Sequence, residues 1–355
     1  MTVSPFDHPI LSGLLGDGEV AAHFSTEAEI AAFIRFESAL AEAEAAEGVI
    51  PAEAGQAIAQ ALGAFRPDVA RLRAETARDG VVVPELVRQM RVAVGEPHGR
   101  YVHFGATSQD VIDTGLVLRL VPVLDIFADR LDALVDMLTD LDDRQGQLSV
   151  MAHTRMQAAI PVTASRKIAS WRDPLVRHRS RLTAIRDQVA VLHFGGAAGT
   201  LEKLDDKGSD VAEEASVWLG LRTLPRARHS ERDGFAELAS FLSLLTGSLG
   251  KIGQDIALMA QNEVGEIRLA SGGGSSAMPH KVNPVGAEVL VSLARFNATL
   301  LAGMHQALVH ENERSGSAWT LEWMLLPQMA VATGAALRNA AALLSAISFV
   351  AVSRT

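Results

Sequence analysis

The chain has no cysteine in its 355 residues. That excludes a disulfide framework, a thiolate nucleophile and any cysteine-bound zinc site. Aromatic residues are only 5% of the chain and charged residues 21%, whereas 48% are hydrophobic. A disordered chain is not that apolar. Glycine (29) and proline (13) are modest in number, so the composition is neither collagen-like nor linker-like. Basic residues are outnumbered, 32 against 42, for a net charge of −10. Neither nucleic acid nor a membrane is an expected partner, although a local pocket on an acidic protein can still attract a small anion. Long hydrophobic runs are missing as well. The longest uncharged stretches, residues 323–337 and 340–353, are too short to span a bilayer, and Arg338 lies between them. The first ten residues carry no basic segment followed by an apolar run, so a cytoplasmic location without a signal peptide is expected.

Alternating β-branched runs are nearly absent too; Val81-Val82-Val83 before Pro84 is too short to support a sheet. What is there is helical. Thr26 and Glu29 have the spacing of a capping box, and Ile30, Phe33, Ile34, Leu40 and Ala41 follow on one face until Gly48 and Pro51. Beyond Asp113, apolar residues from Val117 to Leu141 recur at three- and four-residue steps, predicting a helix of about 28 residues with a kink at Pro122. Similar patterns cover about residues 161–192, 234–264, 284–310 and 321–350. The expected fold is all-α: an N-terminal helical region over 1–98, a long-helix bundle over 99–340, and a short tail over 341–355. Helices this long, apolar on more than one face, favour assembly of several copies over a lone core.

Four segments interrupt the pattern with residues poorly suited to packing. The first runs His103-Phe104-Gly105-Ala106-Thr107-Ser108-Gln109-Asp110. It reads either as a plain helix cap or as a cradle for a carboxylate at a helix N-terminus. The second, His153-Thr154-Arg155-Met156-Gln157, reads as a polar loop ahead of a helix. The third is Ser271-Gly272-Gly273-Gly274-Ser275-Ser276-Ala277-Met278-Pro279-His280-Lys281-Val282-Asn283. Three glycines in a row pack nothing and suit a loop that closes over a ligand. The fourth is His310-Glu311-Asn312-Glu313-Arg314-Ser315, in which Arg314 can clamp a carboxylate or simply end a charged helix.

Together these segments resemble the fumarase/aspartase superfamily over about residues 5 to 325. The stretch Gly274 to Asn283 fits that superfamily's signature at its fixed positions. Within it, His103 to Asp110 and the run from His310 to Trp323 resemble the 3-carboxy-cis,cis-muconate cycloisomerase family. The resemblance implies a homotetramer whose long helices form one bundle, with each site built from three subunits. It also implies a small polycarboxylate substrate, closed to a lactone in the β-ketoadipate route of aromatic breakdown, and no metal or organic cofactor. The implied catalytic residues are Ser275, Lys281 and His103. Thr107, Ser108, Arg155, Gln157, Ser276, Met278, Asn283 and Arg314 are the implied substrate-binding residues.

Two features depart from the superfamily pattern. The small C-terminal helical domain usual there is expected to be reduced or absent. Arg155 stands where the lyases typically carry a histidine that protonates the leaving group, and arginine cannot give up a proton near neutral pH. A lactone's leaving carboxylate departs unprotonated, so the substitution suits lactone chemistry and counts against a fumarate-releasing lyase. The superfamily's partner of that histidine matches Glu288, which is expected to pair with Arg155 of another subunit. A 3-sulfomuconate cycloisomerase, a lyase such as adenylosuccinate lyase, and a non-catalytic relative remain the alternatives.

Overall fold

The computed structural model describes residues 3–270, 272–274, 278 and 281–351. Ser275 and Ser276 therefore lie outside the described residues. The short helices α1 (Ser12–Leu15) and α2 (Gly18–Ala22) precede α3 (Thr26–Ala46), α4 (Ala52–Gly63), α5 (Val69–Asp79) and α6 (Val83–Val94). The long α7 (Ser108–Gln145) leads to strands β1 (Ser149–Thr154) and β2 (Gln157–Thr163), then α8 (Ala164–Val189) and α9 (Gly208–Leu219). Next come α10 (Asp233–Met259), β3 (Ile267–Leu269), α11 (Val285–Gln306), α12 (Ser317–Ser345) and β4 (Ile347–Phe349).

The helix-rich fold agrees with the sequence, and its details differ where packing or capping decides. Ser25, not Thr26, caps α3: its hydroxyl accepts from the Ala28 amide at 3.1 Å, because Ser25 is extended and Thr26 already helical. Helix α7 has 38 residues and continues through Pro122. Its polar ends, Ser108 to Asp110 and Asp142 to Gln145, carry no apolar period and were invisible to it. Two small antiparallel ribbons also form. One pairs β1 with β2, taking residues 161–163 from the expected helix. The other pairs β3 with β4, and α12 runs on to Ser345 before it.

Helices α7, α8, α10, α11 and α12 pack as the bundle. On α7, Val117, Leu124, Leu131 and Leu138 are all at most 1% exposed. Their seven-residue spacing keeps one seam facing the neighbouring helices along the axis. Each such side chain contributes roughly 1.5–3 kcal/mol on burial. Helices α10 and α11 approach closely at small residues: a Cβ at Gly253 would fall 2.5 Å from the Ala287 carbonyl oxygen. A second core gathers Phe33, Phe36, Leu40, Ile58, Leu86 and Met90 from the N-terminal helices against the first turn of α7.

Candidate active site

The predicted site residues fall into two groups at opposite ends of α7, which is about 57 Å long at 1.5 Å per residue. At its N-terminal end the chain builds a tightly tied platform. Asp110 is fully buried and its carboxylate accepts four hydrogen bonds. Oδ1 takes the Gly195 amide at 2.9 Å and lies 2.7 Å from His229 Nε2; Oδ2 takes the amides of Gly196 at 3.0 Å and Thr107 at 2.9 Å. The amide pair requires close backbone approach. Gly196 has φ +68°, and a Cβ there would meet the Gly105 carbonyl oxygen at 2.8 Å. Asp110 thus fastens Thr107 and Ser108 to the loop Gly195-Gly196-Ala197-Ala198-Gly199-Thr200.

Arg314 reaches the same platform from the segment before α12. Its Nε donates to Gln109 Oε1 at 3.0 Å, and Nη2 donates to the Ala197 carbonyl at 3.1 Å, while the residue stays exposed. Gln109 Nε2 in turn donates to Asp113 at 3.1 Å. Asp113 and Glu322 flank the buried Arg232 guanidinium at 2.6 and 2.5 Å, and Trp319 Nε1 donates to Asp113 at 2.9 Å. Burial alone would raise the Asp113 carboxyl, but Arg232, His193 and the Trp319 hydrogen bond together outweigh it and hold the group below its ordinary value. The network locks α7 and α12 to Arg232, the residue just ahead of α10. His103 completes this end, its ring Nδ1 2.6 Å from Glu37 Oε1.

The other group sits at the C-terminal end of α7. Backbone bonds from Ala164 to Leu148 and from Ser165 to Gly146 tie the base of the β1–β2 hairpin there, and Phe349 of β4 donates to Gln145 Oε1 at 2.7 Å. Arg155 is exposed at the hairpin tip and Gln157 opens β2. An isolated bridge between Gly273 and Asn283 closes the neck of the glycine-rich loop. Asn283 Nδ2 donates to the Gly274 carbonyl at 3.4 Å, and Met278 and Lys281 are exposed. Glu288 is exposed in the first turn of α11. Among the described residues, neither Arg155 nor Glu288 forms an ion pair within the chain. One chain therefore brings His103, Thr107, Ser108 and Arg314 to one end, and Arg155, Gln157, Met278, Lys281 and Asn283 to the other. The apolar cavity of about 420 Å³ beside Phe33, Leu116 and Trp323 contains none of them, and its Arg119 is paired with Glu29.

Sequence reasoning missed the loop at Gly195 and the supports Arg232, Glu37 and Glu44. The loop had a signal in its run of small residues. Glu37 and Glu44 had one as well, since with Phe33 and Leu40 they continue the core-facing stripe of α3 at steps of three and four. Arg232 had none.

A long-helix bundle with polar segments at both ends defines the class: the chain is an enzyme of the fumarase/aspartase superfamily. It belongs to the Lyase family, whose sequence profile matches residues 18–296. It is 40% identical to 3-carboxy-cis,cis-muconate cycloisomerase of Pseudomonas aeruginosa over 332 residues, 92% of this chain and 72% of that protein. The crystal structure of 3-carboxy-cis,cis-muconate lactonizing enzyme from Pseudomonas putida superposes with a TM-score of 0.90 at 38% identity, covering 96% of this chain and 77% of that one. N-acetyl-S-(2-succino)cysteine lyase of Dickeya dadantii is 32% identical over 345 residues, 96% of this chain and 76% of its own.

Proposed function

We propose that this enzyme closes 3-carboxy-cis,cis-muconate to 4-carboxymuconolactone. The observation that carries the reading is Arg155, exposed at the hairpin tip without an ion-pair partner among the described residues of its own chain. A permanent cation there can hold a carboxylate and cannot protonate a poor leaving group. The identity to cycloisomerases supports the same choice.

One substrate carboxylate attacks a carbon of the diene, and the neighbouring carbon receives a proton from the Ser275 hydroxyl. Ser275 is then left as an alkoxide that must be reprotonated. Closure of the loop, its amides and Lys281 make that alkoxide accessible. The intermediate carries extra negative charge on the carboxylate beside the protonated carbon. Lys281, Asn283 and the hydroxyls of Thr107 and Ser108 offset it. Arg314, Gln157 and His103 hold the remaining carboxylates, with Arg155 as a further cation and Ser276 and Met278 lining the loop side. Nucleophile and acceptor share one molecule, so positioning supplies much of the rate.

These residues can meet only if copies of the chain bring opposite ends together. The apolar stretch of α11 supports such assembly. By length and composition it could cross a membrane, yet it packs against α10 and α12 with only 28% of that window buried. Its open face presents Glu288, Ser292, Arg295, Ala298 and Ala302, small or charged residues suited to close helix contact. The assembly proposed is a homotetramer with shared sites, in which Glu288 meets the partner subunit's Arg155.

The test follows loss of diene absorbance with 3-carboxy-cis,cis-muconate, alongside 3-sulfomuconate and adenylosuccinate. Rapid loss with the carboxy compound, abolished by Ser275→Ala, is the expected result. Turnover of the sulfonate alone would keep the chemistry and change the substrate. Fumarate released from adenylosuccinate would make the enzyme a lyase.

A further inference from the structure

His103 holds a backbone conformation that residues with a side chain rarely adopt, φ +62°, which carries backbone strain. Its ring is only 14% exposed, and Nδ1 is occupied by Glu37 Oε1 at 2.6 Å. Glu37 lies 1% exposed on α3 among Phe33, Phe36 and Leu40, and its second oxygen has no hydrogen-bond partner among the described residues. Burying a carboxylate in such a place costs free energy that apolar packing does not return. Among the described residues its hydrogen-bond partner is the histidine.

We propose that Glu37 is a positioning residue for His103: by occupying Nδ1 it presents Nε2–H to the site and keeps the ring an imidazolium that grips a substrate carboxylate. The role at substrate rests on the polycarboxylate reading above; the pairing itself does not. A charge-assisted N–H···O contact from a cationic ring is about twice as strong as one from a neutral ring. Asp110 on α7 favours the charged ring and Arg91 on α6 opposes it. Burial is the largest influence and also opposes it; Glu37 by charge and hydrogen bond, together with Asp110, outweighs burial and Arg91, so the ring titrates above its ordinary value. Glu44, two turns further along α3, is pushed up to about 9 by burial and by Glu37, and stays uncharged at neutral pH. The ring therefore meets one negative charge from α3 and not two.

The first experiment is the ring titration of His103 in the intact enzyme, by NMR with ring-labelled histidine, assigned by the loss of its signal in His103→Asn. Wild type is expected to titrate above about 6.5, the ordinary value. A midpoint at or below that value overturns the proposal, and needs no variant that might misfold. In Glu37→Gln the midpoint is expected to fall below 6.5. The same variant should lose about tenfold in kcat/KM at pH 8, mainly through KM, and recover to within about threefold of wild type at pH 5.5, since one pKa unit is a tenfold change in the charged fraction. A loss independent of pH would mean that Glu37 only fills space, and would overturn the positioning role. Glu44→Gln is the burial control, expected to leave the pH profile in place; a shift equal to that of Glu37→Gln would also count against the proposal. Should wild type fail to turn over 3-carboxy-cis,cis-muconate, the functional reading falls while the ring titration still decides the pairing.

Discussion

Glu44 is fully buried, and neither carboxyl oxygen has a hydrogen-bond partner among the described residues. With a folded value of about 9 against an ordinary 4.5, the fold holds a proton there that the unfolded chain gives up above pH 4.5. Stability from this group is therefore full below about pH 4.5 and falls as pH rises toward 9, by about 3 kcal/mol at pH 7. Glu44→Gln should flatten that decline in thermal midpoints measured from pH 5 to 9. His193 acts in the opposite sense. Burial first, then Arg232, His229 and Arg228, lower its ring to about 4 despite Asp113. The folded ring stays neutral where the unfolded one gains a proton, so stability is lost as pH falls from 6.5 toward 4. His193→Leu should remove this acid-side loss in the same melting series. With these two groups the opposing slopes cancel between about pH 4.5 and 6.5, so wild type should be level across that window and lose stability above it. At this scale the sequence singles out residues whose types are wrong for packing, as at Arg314 and the triple glycine. At Glu44 the signal was present but easily overlooked, because Ala-Glu-Ala-Glu-Ala reads as a solvated helix face unless its three- and four-residue register with Phe33 and Leu40 is followed.

The β1–β2 hairpin shows the same limit for an element. Its register pairs Thr154 with Gln157, leaving Arg155 and Met156 as a two-residue turn with φ +48° and +66°. Turns with both central residues at positive φ favour Asn-Gly, and a two-stranded ribbon exposed on its outer residues shows no burial period to read. Nothing in Met151 to Gln157 therefore announced strands. Replacing Arg155-Met156 by Asn-Gly should raise the thermal midpoint slightly, by relieving about 1 kcal/mol of backbone strain. The same double variant should lower kcat/KM at least tenfold in the diene assay if the tip cation holds substrate. Equal activity would remove Arg155 from the proposed site. Helix α7, by contrast, was legible throughout its apolar middle and hidden only at its ends, where capping and polar residues take over.

For the whole molecule, the decisive feature is the length of α7, which keeps the two sets of site residues apart in one chain. Mixed assemblies should therefore complement. Ser275→Ala and Arg314→Ala, each inactive alone, should regain part of wild-type turnover when unfolded together and refolded. No recovery would place each complete site within a single copy. The helical architecture was readable from periodicity; the separation of the candidate residues to two ends was not, because periodicity carries no information on which end of a bundle a loop occupies, and only the family resemblance implied sites shared between subunits. The Asp110 carboxylate has a further consequence at this scale. Its four donors weld the glycine-rich loop at Gly195 to the first turn of α7, so that segment moves with the bundle. In hydrogen–deuterium exchange the amides of Gly195 and Gly196 should stay protected for as long as those of the helices, in a stretch that composition would class among the fastest to exchange.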